Sequence, residues 1–261
     1  MNLTSLYMGN CLEMGKQIED QSVDMALLDL PFGKTRNKWD ILIDPVGMWE
    51  LLGRIMKPGG AVACFAVQPF SSLLTNSNLK GYKHTWYWDK KQSGNFAVAK
   101  YQPLSVMEEI LVFTCKGEKT NYYPKMRKGK LRYRGSKNSE KHGRGFGKIN
   151  QVYYQSDDYY PTNILSFPAV SHRGNLHPSQ KSAELLQYLI ETYTLPGQTV
   201  IDIAMGSGST VEAAIKSNRK AIGIEKDSGY YQVACERINK LRMDYGHSDV
   251  QGTNGSVAVN D

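Results

Sequence analysis

The segment Ser22-Val23-Asp24-Met25-Ala26-Leu27-Leu28-Asp29 constrains the fold more than any other. It reads as a continuous apolar run that closes on an acid, the pattern of a strand buried on both faces in a parallel sheet. Behind it, residues 48–56 set Met48, Leu51, Leu52 and Ile55 on one helical face, Lys57-Pro58-Gly59-Gly60 stops that helix, and residues 61–66 form a second buried strand. This is a strand, helix, strand unit of an α/β protein.

A second such unit lies downstream. Leu185, Leu186, Leu189, Ile190 and Tyr193 repeat at helical spacing, and Pro196-Gly197 ends the helix. Thr199–Asp202 is then a strand, residues 210–217 a helix with Val211, Ala214 and Ile215 inward, and residues 221–225 a strand. Trp86-Tyr87-Trp88 and residues 109–114 predict further strands. Between the two units, residues 116–175 lose periodicity and fill with Gly, Tyr, Lys and Arg, an insertion with little core of its own. Residues 246–261 read as a disordered tail. A chain of 261 residues suits one domain, 1–261, carrying that insertion.

Four scattered cysteines without a C-x-x-C pair argue against a structural zinc site or disulfide framework, so no metal is expected and a reducing cytoplasm fits best. No secretory pattern opens the chain, and no run approaches the roughly 20 apolar residues of a membrane span. The net charge of +7 is concentrated in one place: residues 116–148 hold twelve Lys and Arg against Glu118 and Glu140, a local +10. Interleaved with Tyr122, Tyr123, Tyr133 and Phe146, that stretch suits a phosphate backbone; a solvated loop is the plainer reading.

Two segments carry candidate chemistry. Asp29-Leu30-Pro31-Phe32 places a carboxylate, a stiffened backbone and an aromatic face at the carboxyl end of a strand, where open α/β sheets bind ligands, although the same residues suit a turn. Asp202-Ile203-Ala204-Met205-Gly206-Ser207-Gly208-Ser209-Thr210 joins a strand to a helix through small residues that let a ligand approach the backbone. Glu225 ends the next strand, where Rossmann-like folds bind ribose hydroxyls. A dinucleotide loop would carry a third glycine where this chain has Val211, and Asp202 would repel a pyrophosphate, so a cationic nucleoside such as S-adenosylmethionine suits the loop better.

These segments resemble the amino-methyltransferases of DNA, which methylate the exocyclic nitrogen of adenine or cytosine. Asp29-Leu30-Pro31-Phe32 is similar to their catalytic motif, with Leu30 where proline is usual and Phe32 where tyrosine or tryptophan is commoner, and 202–210 is similar to their cofactor loop. Gly9-Asn10-Cys11-Leu12 with Ser22-Val23-Asp24, Met56-Lys57-Pro58-Gly59-Gly60, and His177-Pro178-Ser179-Gln180-Lys181 extend the likeness over most of the chain. The catalytic motif precedes the cofactor loop, as in the family's β class.

The resemblance implies a Rossmann-like S-adenosylmethionine-dependent methyltransferase fold with a mostly parallel sheet, and an inserted region, 116–175, that recognises the target sequence. It implies that Asn10, Cys11, His177, Lys181, Asp202, Gly206, Ser207, Gly208, Ser209 and Glu225 hold the cofactor. The target base, flipped from duplex DNA, would stack on Phe32, its amine held by the Asp29 carboxylate and the Leu30 carbonyl, with Pro31 stiffening the turn. Asp29 leans toward adenine N6; cytosine N4, an inactive DNA-binding module and an RNA substrate are the alternatives. A restriction–modification setting and a homodimer stay open. Cytosine C5 chemistry is disfavoured because no cysteine follows a proline.

Overall fold

The computed structural model describes residues 4–33, 41–94, 96–134, 141–143, 147–149, 154–170 and 181–244. His177 and the 246–261 tail therefore lie outside the described residues, as does part of the 116–175 insertion. In chain order the elements are β1 (Thr4–Met8), α1 (Cys11–Met14), β2 (Val23–Leu28), α2 (Pro45–Ile55), β3 (Met56–Ala66), α3 (Phe70–Ser77), β4 (Tyr82–Gly94), β5 (Ser105–Phe113), β6 (Arg127–Arg134), β7 (Lys141–Gly143), β8 (Gly147–Ile149), β9 (Tyr154–Tyr159), β10 (Ile164–Ser166), α4 (Ala183–Tyr193), β11 (Thr199–Asp202), α5 (Ser209–Lys216), β12 (Lys220–Glu225) and α6 (Ser228–Asp244). Among the described residues no helix is long and apolar enough to cross a membrane.

Eight strands form one sheet in the order β1-β12-β11-β2-β3-β5-β4-β10. The first five run parallel, β5 is antiparallel to both its neighbours, and β10 pairs parallel to β4. The chain order brings β2, from the first half, directly beside β11, from the second. The carboxyl ends of β1, β12, β11 and β2 consequently share one edge.

The double burial of β2 follows from strand periodicity. Met25 and Leu27 pack on one side with Leu185, Leu186, Leu189 and Tyr193 of α4. Ala26 and Leu28 pack on the other with Met48, Leu51, Leu52 and Ile55 of α2. Each face therefore has its own apolar core, and cutting a fully buried residue such as Leu52 to alanine would cost about 2–5 kcal/mol.

One sequence expectation needs correction. Lys57-Pro58-Gly59-Gly60 does not sit between helix and strand: α2 ends at Ile55 and β3 starts at Met56, with the four residues bulged inside it. The physical reason is local. Gly59 adopts φ 76, and a Cβ on Gly60 would fall 2.9 Å from the Asp24 carbonyl, so only glycine lets the bulge close on β2. Asp24, buried within β2, accepts from Lys57 Nζ at 2.9 Å, from Gln198 Nε2 at 3.0 Å and from the Thr199 backbone N–H at 2.9 Å. A single carboxylate thus ties the bulge and the two halves of the sheet together.

Elements without a periodic signal in the sequence include β1, α3, β10 and α6. β1 is half-buried at the sheet edge, and Tyr7, Met8 and Ser5 give no alternation. Within 116–175, residues Pro124–Thr162 make a compact unit of their own, while the flanking residues belong to the main unit. In that smaller unit β6 pairs antiparallel with β9, and β7 with β8. Lys128 is held by Asp157 at 2.9 Å and Asp158 at 3.0 Å, and the Arg132 guanidinium lies 3.8 Å over the Tyr159 ring. One register of β6 is Lys128, Lys130 and Arg132 and the other Arg127, Gly129, Leu131 and Tyr133, so neither carries an apolar period-2 run.

Candidate active site

The strand register that buries β2 also aims its last residues. Leu30 continues the Ala26 and Leu28 face and is buried with Met48 and Phe70. Leu30 and Pro31 also line an apolar cavity with Leu42, Ile43, Phe70 and Leu74. The second position of the Asp29-Leu30-Pro31-Phe32 tetrapeptide is therefore anchored by its side chain in the core. Phe32 stands 5.1 Å from the Phe70 ring, tilted by 37°.

Asp29 belongs to the opposite register, the α4 side of the sheet. There its Oδ1 lies 3.1 Å from Lys181 Nζ, just before α4. Lys181 Nζ is also 2.8 Å from Glu108 Oε1 and 4.9 Å above the Phe65 ring. Glu108 Oε2 in turn is 3.8 Å from Lys90 Nζ. Burial pushes the Asp29 carboxyl up to about 6; Lys181 works against that rise and Glu108 adds to it. The Lys181 ammonium is held well above the ordinary lysine range by Asp29 and Glu108, which outweigh the effect of its burial.

Glu108 and Lys90 were not among the residues singled out from sequence. A signal existed: Glu108 falls in the inward register of Ile110 and Val112 on β5, and a carboxylate there requires a cation.

The cofactor-side residues gather at the same edge. Gly9 N–H donates to the Glu225 carbonyl at 2.8 Å, which fixes the end of β1 to the end of β12. Asn10 then caps α1, its Oδ1 accepting from Leu12 N–H at 2.9 Å, and Cys11 is buried behind it. Burial pushes the Cys11 thiol up, with Glu225 adding to the effect, so it is a packing group and not a thiolate. Asp202 is buried at the end of β11. Its Oδ1 accepts from Ala204 N–H at 3.0 Å and its carboxylate from the Thr210 hydroxyl. Burial raises its carboxyl to about 7, with repulsion from Asp29 and Glu225 contributing.

The loop itself turns through Gly206 at φ 52 and Gly208 at φ 79 into α5, with Ser207 buried and Ser209 half-buried. Glu225 Oε2 accepts from Gly206 N–H and Oε1 from Asp227 N–H, both at 2.8 Å. The acid therefore braces the loop as well as facing it. Val211 stands where a dinucleotide loop has glycine, and the close approach is made by the strand instead: a Cβ on Gly223 would fall 2.2 Å from Met205 Sδ and 2.9 Å from Val211 Cγ2.

The structure thus brings together Asn10, Cys11, Asp202, Gly206–Ser209 and Glu225 around one turn, and puts Lys181 beside Asp29. Carboxylates braced by backbone amides in a glycine loop and a carboxylate paired with a lysine next to an aromatic stand on one sheet edge, where open α/β sheets bind ligands.

A family model described as DNA methylase matches residues 23–236, and the chain belongs to this N6/N4 DNA methylase family. It is 27% identical over 248 residues to the DNA adenine methyltransferase YhdJ of Escherichia coli K12, covering 88% of this chain and 81% of that protein. It is likewise 27% identical over 226 residues to the Type II methyltransferase M.MjaI of Methanocaldococcus jannaschii, covering 76% and 69%. A match at 39% identity to the Type II methyltransferase M.HindIII of Haemophilus influenzae is confined to 77 residues, 30% of this chain and 25% of that one.

Among solved structures, the M1.HpyAVI–SAM complex superposes with a TM-score of 0.59 at 23% identity, covering 91% of this chain and 100% of that chain. The cytosine-N4-specific PvuII DNA methyltransferase does so with 0.62 at 15%, covering 94% and 95%. These two likenesses establish the methyltransferase fold.

Proposed function

We propose that the protein transfers a methyl group from S-adenosylmethionine to the N6 amino group of adenine in duplex DNA. The observation that carries this reading is Asp29: a carboxylate at the end of β2, 3.1 Å from a buried lysine, on the same sheet edge as the Asp202 and Glu225 loop. With its carboxyl near 6, Asp29 is ionised at neutral pH and can accept a hydrogen bond from an amine. The Leu30 carbonyl supplies the second acceptor. Together they orient the nitrogen lone pair toward the methyl carbon.

S-adenosylmethionine held at the loop would supply the methyl group, its sulfur keeping the electrons of the broken S–C bond, while the amine nitrogen would take the methyl and give one proton to solvent. Phe32 offers a ring against which a flipped base can stack. S-adenosylmethionine fits the donor set at the loop, where Asp202 meets, among the described residues, an amide and a hydroxyl and no cation, and so suits a cationic ligand. Asn10, Cys11, His177, Lys181, Ser207, Ser209 and Glu225 complete the cofactor set in this reading.

Support for adenine comes from the aspartate at position 29 and from the name of the YhdJ relative. Residues 116–175 would recognise the target, with Tyr133, Leu131 and Tyr160 exposed on the smaller unit. The protein would act in the cytoplasm.

The test is mass spectrometry of nucleosides from duplex DNA and RNA treated with the protein and methyl-labelled cofactor. N6-methyladenosine from DNA is expected in its deoxy form; N4-methylcytosine alone would overturn the adenine assignment, and label confined to RNA would overturn DNA as substrate.

A further inference from the structure

We propose that Glu108 is a positioning residue for methyl transfer: by sharing the Lys181 ammonium with Asp29, it keeps Asp29 available to the target amine. The inference rests on the reading of Asp29 above and extends it to a residue that neither the motif nor the cofactor loop contains.

The geometry is a chain of alternating charge, Asp29, Lys181, Glu108, Lys90, with successive separations of 3.1, 2.8 and 3.8 Å. It crosses four separate elements: the end of β2, the approach to α4, β5 and β4. The Lys181 and Glu108 side chains are only 9% and 8% exposed, while Asp29 keeps 21%. A buried charge is expensive unless paired, and a hydrophobic residue at 108 would continue the Ile110 and Val112 face at no such cost. The glutamate therefore needs a reason that packing does not give.

The reason lies in what Lys181 would do without it. A buried lysine facing Asp29 alone would spend its full charge on that carboxylate, making it a weaker hydrogen-bond acceptor and a poorer base. With Glu108 closer to Nζ than Asp29 is, the lysine fixes one oxygen of Asp29 without neutralising the group. Lys90 supports Glu108 from the other side. Among the described residues, Asp202, from β11, is a further charged neighbour that senses Asp29. Burial sets Asp29 above the ordinary carboxylate range, and the two charged partners act on it with opposite sign, Lys181 downward and Glu108 upward.

Removing each partner should therefore move the Asp29 titration in opposite directions. The experiment has two arms on the full-length protein. In the first, kcat/KM for DNA methylation is followed against pH. The acid limb, expected near 6 for the unmodified protein, should fall by about half a unit to one unit in Glu108→Gln and rise by about one unit in Lys181→Met. In the second, the Asp29 carboxyl is titrated by carbon-13 NMR of aspartate-labelled protein, assigned with Asp29→Asn, and should shift the same two ways. Loss of rate in Glu108→Gln at every pH with an unmoved limb and an unmoved Asp29 titration would overturn the proposal and leave Glu108 a structural residue. Should the unmodified protein transfer no methyl group to DNA, the function reading fails while the NMR arm still decides whether Glu108 governs Asp29. Should Lys181→Met not fold, Glu108→Gln is read beside Lys90→Gln: general loosening would lower the Asp29 titration in both, whereas the proposal requires a fall in the first and a rise in the second.

Discussion

Asp29 and Asp202 end neighbouring parallel strands, the first half-buried and the second buried, and both are pushed well above the ordinary carboxylate range, to about 6 and about 7. They differ in what answers their charge. Asp29 meets a lysine at 3.1 Å, whereas Asp202 meets an amide at 3.0 Å and a hydroxyl. In the function proposed above, the protein supplies the counter-charge at Asp29 and a cationic ligand would supply it at Asp202. Burial is the largest cause of the rise at both carboxyls, with neighbouring carboxylates adding to it; the other partners suit one to a neutral amine and the other to a cation.

The largest expected effect comes from Asp29→Ala. Methyl transfer should fall by at least about a hundredfold to a thousandfold, the usual cost of removing one aimed polar group from a transfer site. S-adenosylmethionine binding, followed by calorimetry, should change little. An equal loss in cofactor affinity would break the division between the two carboxylates.

Asp202→Asn should do the reverse. The fold of the loop survives because Asn can still accept from Ala204 N–H, but the charge that answers a cation is lost. Affinity for S-adenosylmethionine should drop about tenfold to a hundredfold, as expected for a hydrogen-bonded charge at a partly dry site. S-adenosylhomocysteine, which lacks the sulfonium charge, should lose less. Equal losses for both ligands would mean that Asp202 acts through loop geometry and not through charge.

Much of this contrast was legible in the chain. The apolar run into Asp29, the glycine loop after Asp202 and the acid at Glu225 each lie on contiguous residues, so periodicity and turn chemistry located them. What could not be read is what crosses the sheet. Lys181 resembles a cofactor residue by its motif, yet it reaches Asp29 because α4 packs over the Met25 and Leu27 face. Glu108 reads as one acid of a pair at a strand's edge until its register with Ile110 is known. Asp24 looked like part of an opening stretch, and its ties to Gln198 and Thr199 span 174 and 175 residues. The charge count had a similar blind spot, because it ended before Asp157 and Asp158, which hold Lys128.

The pH dependence of cofactor binding sharpens the contrast further. Free Asp202 holds its proton up to about pH 7, and a cation beside it favours the ionised form, so binding expels that proton below pH 7. Affinity should therefore rise with pH, by about tenfold between pH 6 and pH 8. Asp202→Asn should flatten that slope, whereas Asp29→Asn, which removes one source of repulsion, should keep the slope and move it to lower pH. Calorimetry in buffers of different ionisation enthalpy would report the released proton directly.

The smallest effect is on stability, and its sign is the informative part. Asp29 in the fold titrates near 6, above the 3.8 of an unperturbed aspartate, so between those values the folded state binds the proton that the unfolded state has lost. Its ionisation therefore opposes folding as pH rises through about 6, the opposite of a carboxylate stabilised by an ion pair. Asp29→Asn, which keeps the shape and removes the charge, should raise the stability of the ligand-free protein at pH 8 by on the order of 1 to 3 kcal/mol, read from urea midpoints. The gain should vanish near pH 4, where both states of the unmodified residue approach neutrality. A destabilised Asn variant at pH 8 would mean that Lys181 contributes more at Asp29 than burial removes, and the catalytic carboxylate would then be a structural ion pair first and an amine acceptor second.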